Sequence, residues 1–140
     1  MAGTNPVLEA GPDTWPVSVP ITGGQLVMID PADTAKKKIA PTDGAVPNCL
    51  GQAAIDALPK GDMGTNMARL RDHVSVRYAP YDVEVTYLNS ASPGDPLVTA
   101  SDGRVQRYDD AAGHTPDLIV ARCTEPGGAT AGAIGRVRLL

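Results

Sequence analysis

Glycine and proline interrupt this chain so often that a long helix has no room to form. Fifteen Gly and thirteen Pro are spread among 140 residues. Inside a helix a Gly costs about 1 kcal/mol and a Pro about 3 kcal/mol relative to Ala. Between the breaks lie short apolar runs bounded by turn residues, the pattern of strands joined by tight turns. Such Gly and Pro content also occurs in disordered chains, but apolar runs of this kind call for a core. That core must be thin. There is no Phe, one Trp and four Tyr, so Val, Leu, Ile and Ala have to fill it, and these suit closely spaced sheets. The length fits one ordinary domain. The expectation is a mostly-β fold: a single small β-sandwich or barrel-like domain with long loops and an extended N-terminal arm.

The chain also repeats itself. GGQLVMI (Gly23 to Ile29) is similar to PGDPLVT (Pro93 to Thr99), and PNCLGQAAID (Pro47 to Asp56) to PDLIVARCTE (Pro116 to Glu125). Each pair is weak, but both lie at an offset of about seventy residues. This predicts two related halves, residues 21–62 and 91–140, within a β-rich domain spanning 21–140. Between them, VSVRYAPYDVEVTYL (residues 74–88) alternates apolar and polar positions on both sides of an Ala-Pro-Tyr-Asp turn. That is the period of two half-buried strands and reads as a central hairpin. SPGDPLVTASDGRVQRYD supplies a further strand pair, near 96–100 and 104–108, with Asp102-Gly103 at the turn. DLIVARC and AIGRVRLL make the last strands. Residues 50–58 have helical spacing, but their counterpart in the second half is plainly β, which argues for a strand. One helical turn fits 66–72. Long loops are expected at 57–69 and 109–116.

Residues 1–20 stand apart. Four prolines prevent a helix, yet Pro6, Val7, Leu8, Trp15, Val17 and Val19 are apolar. A solvated tail has no use for them. They are the candidate contact residues of an arm laid either on its own domain or on a neighbour.

Chemistry is hard to find. His114 lies in the polar loop DDAAGHTPD beside Asp109, Asp110 and Asp117, and His73 opens a strand. One imidazole among loop carboxylates is a poor metal or acid–base site. Cys49 and Cys123 lack a CxxC partner and sit among apolar neighbours, as buried free thiols of a reducing compartment do. GGATAGAIG leads into a strand, whereas a phosphate cradle needs a helix. There is no nucleophile elbow, Walker loop or zinc-protease motif. No catalytic, cofactor-binding or metal-binding residue is assigned, and the chain is not expected to be an enzyme. A net charge of −4 with a single run of basic residues, Lys36 to Lys38, argues against a nucleic-acid partner. No apolar stretch reaches the roughly 20 residues of a membrane helix, and the first residues do not form a secretion signal. The expected site of synthesis is a bacterial cytoplasm.

Four stretches carry a family resemblance: Pro20-Ile21-Thr22-Gly23-Gly24-Gln25-Leu26-Val27; the V-x-V-x-Y centre; Gly94-Asp95-Pro96-Leu97-Val98 with Asp102-Gly103-Arg104-Val105; and residues 133–140. Together, over residues 17–140, they resemble the head-decoration (capsid-stabilising, or cement) proteins of tailed bacteriophages. The resemblance implies a β module on the outer capsid surface of the virion. Its partners would be the major capsid protein and further copies of itself, as a homotrimer, clamping neighbouring capsid subunits. The alternatives are a phage tail or fibre module and a carbohydrate- or ligand-binding β-sandwich. The latter would use Trp15, Tyr78, Tyr81, Tyr87 and Tyr108. An enzyme would depend on His114.

Overall fold

The structure is a computed structural model, and it describes residues 13–57, 59, 72–79 and 82–140. The expected loop at 57–69, the helical turn at 66–72, Tyr81 and the contact residues Pro6, Val7 and Leu8 lie wholly or largely outside that set.

The fold is mostly β, as the turn spacing predicts. The described strands are β1 (Asp13–Pro16), β2 (Leu26–Ile29), β3 (Ile39–Pro41), β4 (Cys49–Ala53), β5 (His73–Arg77), β6 (Asp82–Thr86), β7 (Pro96–Thr99), β8 (Val105–Arg107), β9 (Ile119–Cys123) and β10 (Ile134–Leu139). They form two antiparallel sheets, ordered β1-β5-β4-β2-β3 and β6-β10-β9-β7-β8. Renumbering each sheet from its own first strand gives one order, so the two sheets are topological repeats. In each repeat the two edge strands meet again. Val17, just past β1, bridges Ile39 in parallel, and Tyr87, just past β6, bridges Val105 in the same way. Each sheet therefore curls towards closure around its own side chains. Val17, Ile21, Val27, Ile39, Ala53, Val74 and Val76 fill the first. Val83, Val85, Tyr87, Leu97, Val105, Val137 and Leu139 are among those that fill the second.

The repeat extends to single hydrogen bonds. Gly24 N–H donates to Ala53 O at 2.8 Å, and Gly94 N–H to Cys123 O at 2.8 Å. The Gln25 side chain accepts from Thr22 N–H at 2.8 Å, and that of Asp95 from Ser92 N–H at 2.9 Å. Both glycines have positive φ, 97° and 87°, which is why a glycine stands there in each half. The register slips between Val27 and Met28 in one repeat and between Leu97 and Val98 in the other. A bulge at the same place in both is a shared structural feature.

Two expectations need correction. Residues 74–88 are not a hairpin. β5 pairs with β1 and β4, whereas β6 pairs with β10, so the turn between them joins the last strand of one sheet to the first of the next. The repeats are thus built from 13–77 and 82–139. The arm does not extend to residue 20 either. Asp13–Pro16 is an edge strand, paired with β5 from Asp13↔Val76 to Pro16↔His73. An edge is where a strand tolerates proline, because the outward N–H is not needed.

Candidate interaction surface

Among the described residues, the residue types that do chemistry do not converge. His114 Nδ1 accepts a hydrogen bond from Asp109 N–H at 3.0 Å and its ring lies 6.1 Å from that of Tyr108. This is loop architecture. His73 pairs with Asp72 at 2.8 Å on the surface. Among the described residues no three His, Cys, Asp or Glu side chains could share a metal ion. Cys123 is buried in the second core, and Cys49 is half-buried, with its thiol pushed up to about 11 by burial. A thiol held protonated is a poor nucleophile. Among the described residues no helix is long and apolar enough to cross a membrane.

Of the candidate aromatic residues, Tyr87, Trp15 and Tyr78 are engaged within the fold. Tyr87 is fully buried, and its hydroxyl donates to Arg136 O at 3.0 Å. Trp15 packs on the first core and donates its indole N–H to the Tyr78 hydroxyl at 2.6 Å. The expected contact residues divide accordingly. Trp15 and Val17 pack onto their own core, and Val17 is only 3 % exposed. Val19 is 40 % exposed and remains available to a partner.

The molecule offers surfaces and clefts. Where the repeats meet, the segment after β3 lies against the 3-10 turn Ser101–Gly103. Thr42 Oγ1 donates to Ala100 O at 3.0 Å, and Gly103 N–H donates to Thr42 O at 3.2 Å. Thr99 Oγ1 donates to Gly44 O and accepts from Val46 N–H, both at 2.8 Å. Leu26, on β2 of the first repeat, sits in the core of the second. These threonines drew no attention in the sequence, because nothing local distinguishes a buried bridging hydroxyl from an exposed one. Beside the joint a cleft of about 290 Å³ is lined by Gln25, Glu84, Thr86, Arg104 and Ile134, among others. Ile134 is 67 % exposed. A second cleft, about 410 Å³, lies at the far end of β2, between Ile29, Asp30, Lys36 and Asn48.

Comparison with solved structures finds this architecture elsewhere. The fold is similar to that of the N base of the head fiber protein gp8.5 of bacteriophage phi29, with a TM-score of 0.64 over 92 % of this chain and 92 % of that one. Sequence identity is 16 %, so the likeness is one of fold. No family model and no curated protein matches the chain.

Proposed function

We propose that this chain is a structural module of a tailed-bacteriophage head. It binds the outer capsid surface as a cluster of copies and clamps neighbouring major capsid subunits. The observation that carries this reading is the likeness to a phage head fibre base, which spans both chains almost end to end. The absence of convergent chemistry among the described residues suits a protein that works by fitting against others. Val19, Ile55, Leu88, Ile134 and Leu140 remain exposed and apolar, available to a partner surface.

The mechanism is mass action. A protein that binds only the assembled shell stabilises it by its own binding free energy, summed over copies. Residues 1–12, which carry Pro6, Val7 and Leu8, precede the first described strand and are proposed to extend over the capsid subunit. Removing them should spare β1 and lower capsid occupancy.

The likeness to a head fiber base favours a second reading, in which the chain is itself the base of a fibre. The test is the copy ratio to the major capsid protein in purified particles from the same source. About one copy per capsid subunit supports the clamp. A few copies per symmetry axis support the fibre base. Absence from particles overturns both.

A further inference from the structure

The joint between the repeats is one-sided, and this has a consequence for self-assembly. The first repeat contributes the start of β2 and the β3–β4 connection, at Gln25, Leu26, Thr42, Gly44 and Val46. The second contributes the end of β7 and the β7–β8 connection, at Thr99, Ala100, Asp102 and Gly103. Gln52, at the end of β4, adds a bond from its side-chain amide to Glu84 O on β6. Because the repeats share one topology, each also possesses the surface the other uses. Among the hydrogen bonds of the described residues none joins either of these two counterparts to the other repeat, and only Asp117, at the end of one of them, shares a cleft of about 200 Å³ with Pro47 and Cys49 across the joint. One is the β8–β9 connection of the second repeat, residues 108–118. The other is the end of β2 and the β2–β3 connection of the first, residues 30–38. Thr99 and Ala100 are buried in the joint, whereas their counterparts Ile29 and Asp30 are part-exposed and line the 410 Å³ cleft. A heterologous contact with both ends free propagates from copy to copy.

The free ends differ from the joint in a matched way. At the joint the connections are short: 42–48 has seven residues and 100–104 has five. At the free ends they are longer by four each: 108–118 has eleven and 30–38 has nine. They are also oppositely charged. Residues 108–118 carry Asp109, Asp110 and Asp117 with no Lys or Arg, and residues 30–38 end in Lys36, Lys37 and Lys38. The lysine loop is held in shape from within. The Asp33 carboxylate accepts the Lys37 and Lys38 backbone N–H groups, each at 2.9 Å. The ammonium groups take no part in the ion pairs found among the described residues, Asp72–His73, Asp102–Arg104 and Asp82–Arg138.

We propose that copies of this chain associate head to tail, the acidic connection 108–118 of one copy seating at the cleft beside the lysine-bearing connection 30–38 of the next. The contact repeats between molecules the joint that holds the repeats together within one. It concerns self-association alone and stands whether or not the assembly sits on a capsid.

The test is the oligomeric state of the full chain, measured by sedimentation equilibrium at low and high salt. The expected result is association at low salt that weakens as salt rises, as contacts between exposed charges do. Reversing one side, with Lys37→Glu and Lys38→Glu or with Asp109→Lys and Asp110→Lys, should leave monomers. The four substitutions combined in one chain should restore association, and circular dichroism should show the same fold throughout. A monomeric wild-type chain at low salt, or single-side reversals that still associate, would overturn the proposal. So would a four-substitution chain that stays monomeric while folded. A capsid contact at these surfaces would give that first outcome, a monomer in isolation.

Discussion

The two repeats share a backbone and solve its packing differently. At matching positions past the first strand, the first repeat has Val17 and the second Tyr87. At matching positions on the last strand, the first has Val74 and the second Gly135. A Cβ on Gly135 would lie 2.9 Å from Tyr87 Cε1 and 3.1 Å from Ala129 Cβ. The second repeat thus has one large ring over a glycine, where the first has two branched aliphatics. One barrel tolerates both because total volume and apolar pattern, rather than residue identity, define a workable core. The exchange can be tested by making one repeat resemble the other. Tyr87→Val should empty the second core and destabilise the chain by about 3–4 kcal/mol, read as a lower midpoint in denaturant. Gly135→Val alone should also destabilise, by overpacking. The double variant should be more stable than the sum of the two losses predicts. A simple sum would mean that the ring and the glycine are not coupled.

The same comparison separates glycines that serve a turn from the glycine that serves the joint. Gly94 and Gly103 both have positive φ, 87° and 68°. Around Gly94 a Cβ would meet nothing within 4 Å, whereas at Gly103 it would lie 2.5 Å from Gln25 Cβ and 2.8 Å from Leu26 O. Gly94→Ala should therefore cost only the left-handed backbone penalty, about 1 kcal/mol. Gly103→Ala should add a clash between repeats and cost about 3 kcal/mol in all. Thermal unfolding of the two variants side by side reads the difference. Equal losses would mean that the repeats can shift apart at little cost.

A smaller effect is expected from the bridging hydroxyl. Thr99→Val keeps the shape of the side chain but leaves Gly44 O and Val46 N–H without their partner at the joint. Stranding buried polar groups costs about 1–3 kcal/mol. At the matching position of the first repeat, Ile29 already stands without a hydroxyl. Ile29→Val should change stability by no more than about 1 kcal/mol. Hydrogen exchange at Val46 should accelerate in Thr99→Val and stay unchanged in Ile29→Val.

Strand content and the duplication were legible because turn chemistry is local. Gly24 and Gly94 announce one turn seventy residues apart, and the two-residue period of 74–76 and 83–85 marks strands. Partnership was not legible. A period of two says which face of a strand is buried but not which strand lies beside it, so β5 and β6 read as a hairpin although a sheet boundary falls between them. Trp15 and Val17 read as arm residues because the prolines around them suggest an extended chain, and an edge strand is extended too. Gly, Pro and apolar residues can be placed from local rules. Thr42 and Thr99 owe their role to residues more than fifty positions away, and no short window contains that information.

The smallest expected effect lies on the surface of the second repeat. Arg138 Nε donates to Asp82 Oδ1 at 2.8 Å and its terminal nitrogen to Asp82 Oδ2 at 3.2 Å, a two-point pair across β10 and β6. The guanidinium holds the Asp82 carboxyl below the usual carboxylate range. Since the folded value is depressed, the pair's contribution is present at neutral pH, above the unfolded value of about 3.9. It is lost as pH falls through the lower folded value. Both groups are exposed, so solvent and salt screen the pair and its contribution is small. Asp82→Asn should lower the melting temperature slightly at pH 7 in low salt, and the difference from wild type should vanish in high salt, or in acid once the pH falls below the depressed folded value. The first repeat has Arg77 at the position of Arg138, but its first described strand begins one residue after the Asp82 position. A difference that survives high salt would mean that Asp82 acts through its two-point geometry on the register of β6, which is a larger role than charge alone gives it.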